Sequence, residues 1–140
     1  MTTIQSKHGT VPRQCAEMYM IFADMRNFVQ MLPEDKKEGI TADYDTLTAT
    51  VQGFTLGAKV HERVPYSRLE FVDYGAPFAF HVVLYFDPAP EDPFKTDFHI
   101  LFEAELNLMM KMMLSGKIKD GLDKIVDGLV DPSKFQMPNV

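Results

Sequence analysis

The chain is short of the residues on which crosslinking and redox chemistry depend. Its one cysteine, Cys15, has no partner for an internal disulfide, and one thiol builds neither a zinc site nor a redox pair. A reducing compartment is the natural setting, so a cytoplasmic location is expected. No run of ~18 apolar residues occurs, so neither a spanning helix nor stable membrane insertion is expected. The polar stretch Met1 to Thr10 lacks a basic segment followed by an apolar run, and no secretory signal is expected. Positive charge is also scarce. Fourteen basic residues face twenty acidic ones, for a net charge of −6, which argues against nucleic acid as a partner and against docking on anionic headgroups. Residues 1–70 carry 9 acidic and 8 basic side chains and residues 71–140 carry 11 and 6, so the acidity is spread and forms no tail. No Gly-rich phosphate loop and no nucleophile-plus-base spacing is found, and no cofactor is expected.

What is present is an ordinary globular balance, 46% hydrophobic and 24% charged, which excludes disorder and coiled coil. At 140 residues a single domain over 1–140 is expected. Folding should bury roughly two-thirds of the unfolded surface, enough for a core without staples.

Hydrophobic periodicity gives the element order. Thr2 to His8 reads as a first strand, stopped by Pro12. Cys15 to Leu32 reads as helix, with Met18, Phe22 and Met25 on one face, an interruption at Asp24-Met25-Arg26-Asn27 and a stop at Pro33. From Gly39 the period becomes two. Ile40, Ala42 and Tyr44, then Leu47, Ala49 and Val51, form a hairpin broken at Gly53. Leu56, Ala58, Val60, Glu62 and Val64 share one parity, and Leu69 and Phe71 follow the Pro65-Tyr66-Ser67 turn. The clearest strand carries Phe78, Phe80, Val82, Leu84 and Phe86. It pairs, across a Pro-rich loop from Pro88 to Pro93, with Phe98, Ile100, Phe102, Ala104 and Leu106. Such a pattern specifies an antiparallel meander with one buried face. From Leu108 the steps of four and three through Met110, Leu114, Ile118, Leu122, Ile125 and Leu129 make an amphipathic helix ending at Pro132.

This order resembles a known family. Val11-Pro12 followed by a helix carrying Met18-Tyr19 and Phe22, then Asp24-Met25-Arg26-Asn27-Phe28, is similar to the opening of the polyketide-cyclase-like, START-related superfamily that includes the birch pollen allergens. His61-Glu62-Arg63-Val64-Pro65, Arg68-Leu69-Glu70-Phe71 and Glu105-Leu106-Asn107 also match that pattern, and the resemblance covers essentially the whole chain. It implies an α+β helix-grip fold: a curved antiparallel sheet of six to seven strands wrapped around a long C-terminal helix, with two short helices after the first strand. It further implies a cavity between sheet and helix for a lipid, sterol or polyketide, although some members are cyclases or hydratases.

The expected ligand is thus a small apolar molecule held between the aromatic sheet face and the last helix, by Val60, Phe71, Phe80, Leu84, Phe98 and Phe102 on one side and Met110, Leu114, Ile118 and Leu122 on the other. Tyr44 and Glu62 are the polar tips on the inner row, placed to orient one end of the ligand. Glu62 and Asp73 are also the candidate carboxylates of a cyclase- or hydratase-type enzyme, because burial would raise their pKa. A protein-interaction module is the third reading, with a filled interior and an exposed apolar patch. Eight of ten methionines fall in the two helical stretches, where they either fill gaps or adapt to ligands of varied shape. Gly121 and Gly128 flank the helix stripe and either permit close approach to the sheet or loosen the helix. His81 and His99 have wet-face parity, near Glu103 and Glu105, and are expected to be solvated, with no metal. A monomer or weak homodimer is expected.

Overall fold

The structure, a computed structural model, describes residues 1–31, 37–51 and 54–131. The expected stops at Pro33 and Pro132 and the break at Gly53 lie outside the described residues. The elements run β1 (Thr2–Gln5), β2 (Gly9–Val11), α1 (Cys15–Phe22), α2 (Arg26–Gln30), β3 (Ile40–Ala42), β4 (Thr46–Val51), β5 (Phe54–Val64), β6 (Arg68–Asp73), β7 (Phe80–Ala89), β8 (Asp92–Ala104) and α3 (Leu108–Val130). All strands join one antiparallel sheet in the order β1-β8-β7-β6-β5-β4-β3, with β2 also on β8. The architecture is the expected helix-grip, α+β arrangement, and β3 to β8 form the six-strand meander read from the period of two.

Two local departures have physical causes. The first strand is split, because the register on β8 slips by one residue between Gln5↔Leu101 and Gly9↔Phe98. Ser6 bridges the slip: its N–H donates to Ile100 O at 2.9 Å and its Oγ accepts from Ile100 N–H at 2.8 Å. The Pro-rich stretch is mostly strand, since β7 continues to Ala89 and β8 begins at Asp92. Pro88 has no N–H for a ladder, and the register shifts beside it, between Pro88 and Ala89.

The helical break after α1 comes from side chains that compete for the backbone. Asp24 Oδ1 accepts the Arg26 N–H at 3.0 Å and Asn27 Nδ2 donates to Ile21 O at 2.7 Å. The corner this creates drives Met18, Ile21 and Phe22 into the concave face, where the Phe22 ring stacks 6.3 Å from both Phe86 and Phe98.

Asn107 caps α3, its side chain accepting the Met110 N–H at 2.8 Å. The helix is seated by its C-terminal half, where Val126, Gly128 and Leu129 are buried. It packs chiefly against β1, β2 and β8. Gly9 sets the approach: a Cβ there would lie 2.5 Å from Val126 Cγ1 and 2.7 Å from Val130 Cγ2. The neighbouring Lys7 completes the clasp, its N–H donating to Asp123 Oδ1 at 2.7 Å and its ammonium pairing with Asp127. Gly121 and Gly116, by contrast, face open space, so close approach is not the reason for a glycine at 121. No helix among the described residues is long and apolar enough to cross a membrane.

Opposite outcomes are expected from two single-methyl additions. Gly9→Ala, which must displace β2 from α3, should lower stability by about 1–3 kcal/mol. Gly121→Ala, in an exposed helix interior, should raise it by ~0.8–1 kcal/mol. Urea unfolding of both variants checks the pair, and equal effects would contradict this seating of the helix.

Candidate functional site

Because α3 leans toward β1, β2 and β8, the concave face on its other side is not filled. A cavity of ≈ 220 Å³ remains there. The α1–α2 corner supplies Phe22, Met25 and Phe28, and the short strands supply Leu47 from β4 and Ala58 from β5. The floor is Phe71 of β6, Val82 and Leu84 of β7, and Phe98 and Ile100 of β8. The middle of α3 closes it with Leu122 and Ile125. Every lining residue among those described is apolar, and Phe28 stands edge-on to Phe71 with centroids 5.9 Å apart.

Four of the residues expected around a ligand meet at this cavity: Phe71, Leu84, Phe98 and Leu122. Phe80 and Phe102 lie on the same face but nearer the sheet end, half-buried and stacked 6.1 Å apart. Met110, Leu114 and Ile118 are half-buried on the α3 stripe and Val60 is packed against the core, all outside the cavity wall. The expected ligand contacts did not include the α1–α2 corner: Phe22 and Met25 stood only as one helix face and Phe28 only as part of the family motif. They also left out Leu47 and Ala58, although their parity already placed them inward. Among the described methionines, Met18, Met25 and Met31 are buried and Met25 alone reaches the wall. Met109, Met112 and Met113 are 71%, 78% and 63% exposed beside an exposed Leu108, so the adaptable-wall reading of the α3 methionines fails.

The polar tips also move. The register of β5 on β6 shifts between Val60 and Glu62, which inverts the parity beyond it. Glu62 therefore pairs with Glu70 on the convex face and is exposed, 3.6 Å from the Arg68 guanidinium. The inward place passes to Arg63, opposite the fully buried Leu69. Its Nε and Nη2 donate to Ala23 O at 3.1 and 2.9 Å, Nη2 also donates to Tyr44 O at 3.0 Å, and Nη1 donates to Asp45 Oδ1 at 2.9 Å. Tyr44 is exposed, with its ring 4.0 Å beneath that guanidinium, so it serves the clamp and does not reach the cavity. Asp73 keeps its register with Ala58, but its Oδ1 accepts the Phe80 N–H at 3.0 Å, closing the β6–β7 connection. Neither carboxylate faces the cavity.

On the convex face the register sets His81 opposite Glu103 and His99 opposite Tyr85, so the two imidazoles are not cross-strand partners. His81 Nε2 lies 2.9 Å from Glu70 Oε1 and Nδ1 lies 3.4 Å from Glu103 Oε1. An Arg68 hydrogen bond of 2.9 Å holds the Glu70 carboxyl below its usual range, against the opposing effect of burial. His99 is sandwiched between Tyr85 at 4.7 Å and His8 at 4.1 Å, and its Nδ1 is buried without a partner. Burial first, and the neighbouring His8 second, push the His99 imidazole below 6.5. Among the described residues, no group of three or more His, Cys, Asp or Glu is arranged to hold a metal ion.

Arg63→Met should keep the aliphatic bulk but strand the Ala23 and Tyr44 carbonyls, lowering stability by about 2–4 kcal/mol in urea unfolding. A loss below ~0.5 kcal/mol would contradict the clamp. For His99, the unfolded chain takes the proton before the fold does, so the stability it gives is complete above pH 6.5 and is lost as pH falls below that value. His99→Phe should keep the ring stack and flatten the Tm-versus-pH curve below pH 6.5, above the acid range where Glu70 titrates. An unchanged curve would contradict this.

No family model and no curated protein sequence matches the chain. Solved structures do. A START superfamily protein from Mycobacterium smegmatis is 15% identical with a TM-score of 0.61, covering 91% of this chain and 98% of that one. A structure from Thermobifida fusca is 15% identical with a TM-score of 0.69, covering 93% and 91%. The Aha1 protein of Colwellia psychrerythraea, solved as a dimer, is 13% identical with a TM-score of 0.60, covering 94% and 98%. With the topology and the seated C-terminal helix, these likenesses establish that the chain has the START-like helix-grip fold.

Proposed function

We propose that the chain, as one helix-grip unit over residues 1–140, binds a small apolar molecule in the cavity between the sheet, the α1–α2 corner and α3. The observation that carries this reading is a cavity of ≈ 220 Å³ whose described lining residues are all apolar. Burial of ligand surface supplies the affinity, at roughly 25 cal/mol per Å². The wall supports binding rather than turnover as the reading, since Glu62 faces solvent and Asp73 is engaged by the Phe80 N–H. Phe71, Leu84, Phe98 and Leu122 are the contacts proposed from both sequence and geometry, and Phe22, Phe28 and Ala58 join them. The START superfamily likeness supports the reading at the level of fold.

Purified protein extracted with organic solvent should release an apolar molecule, detected by mass spectrometry, at close to one per chain. Val82→Phe, which fills the cavity from its floor, should cut that yield at least tenfold with an unchanged circular dichroism spectrum. An equal yield from the filled variant would remove the site. An empty wild-type extract with no thermal shift from apolar compounds would remove the function.

A further inference from the structure

Size and polarity of the void narrow what it takes. Apolar cavities of ~150 Å³ hold benzene, whereas pockets that enclose drug-sized ligands run ~300–1,000 Å³. At ≈ 220 Å³ this cavity, which is open on one side, sits between the two: it holds up to a second fused ring, and the remainder of a sterol or long acyl chain would lie outside it. Its polarity excludes as much as its size. A hydroxyl, amide or carboxylate inside would lose its water and meet no donor or acceptor from the described lining residues, all of which are apolar. The buried polar atoms without a partner among the described residues, His99 Nδ1 and Ser115 Oγ, belong to residues outside the wall.

Shape adds a third constraint. The Phe22 ring lies within 13° of parallel to Phe98, while Phe28 stands at 84° to Phe71. The wall thus already holds rings in both stacked and edge-on relation, the two arrangements in which a further flat ring packs.

Resting on the binding function proposed above, we infer that the ligand class is a compact, flat hydrocarbon-like molecule of one or two fused rings, with any polar substituent directed to the mouth beside Ile125. Ile125 is the one exposed side chain (38%) among the described lining residues, which is the reason for assigning the mouth to that turn of α3. Lipids and sterols are therefore not enclosed.

Naphthalene, palmitate and cholesterol are the probes, each added to the whole chain and read by thermal unfolding and by methyl ¹³C NMR. Naphthalene at saturation should raise Tm by several degrees at one per chain, moving the methyl signals of Leu47, Leu84, Ile100, Leu122 and Ile125. Palmitate and cholesterol should do neither. Ala58→Phe should abolish the naphthalene shift. If that variant does not fold, the wild-type methyl shifts still decide the site. A Tm rise with palmitate or cholesterol matching that of naphthalene would overturn the ligand class and leave the binding function standing. No response to any of the three would overturn both.

Discussion

The approach of β2 to α3 at Gly9 decides where the last helix lies, and so where the apolar face of the sheet stays uncovered. A helix is ~10 Å across with its side chains, and an antiparallel sheet of this many strands is several times wider. One helix cannot cover it. Here the helix is drawn to the β1–β8 side by the missing side chain of Gly9, by the buried Val126 and Leu129, and by Asp123 and Asp127 gripping Lys7. The α1–α2 corner reaches in from the other end and stops with Phe22 against Phe86 and Phe98. The space that the two elements border but do not fill is the cavity.

Leaving that space open has a cost. At ~24 cal/mol per Å³ of residual void, the ≈ 220 Å³ corresponds to at most about 5 kcal/mol of forgone packing. That is comparable to the whole net stability of a small domain. A single larger side chain at Ala58 or Val82 would recover part of it. A sequence that keeps small residues at these two places, next to Phe71 and Phe98, retains a hollow that a guest can fill, regaining the lost contacts on binding.

Much of this was legible along the chain. Alternation in Phe80, Val82, Leu84 and Phe86 and in Phe98, Ile100, Phe102 and Ala104 fixed the inner face of the two longest strands, and the steps from Leu114 to Leu129 fixed the helix. Tertiary choices were not legible. The adjacent charges Glu62 and Arg63 mean that either parity puts one of them inward, and alternation cannot say which. The register shift beside Val60 settles it, turning Glu62 out and making Arg63 a clamp for two carbonyls. Likewise the stripe from Met110 to Leu129 is continuous in sequence. The close contact at Gly9, the buried Val126 and Leu129 and the Lys7 clasp show that its C-terminal half is the seated part, which shifts the ligand wall from Met110, Leu114 and Ile118 to Leu122 and Ile125.

The survival of an apolar hollow among Phe22, Phe71, Leu84 and Phe98 is the claim on which all else rests. Diffraction from crystals pressurised with xenon tests it most directly, because xenon enters dry apolar voids and displaces little else. The expected result is xenon density between these four side chains with the sheet unmoved. Side chains closed over the space, or ordered water in place of xenon, would contradict it.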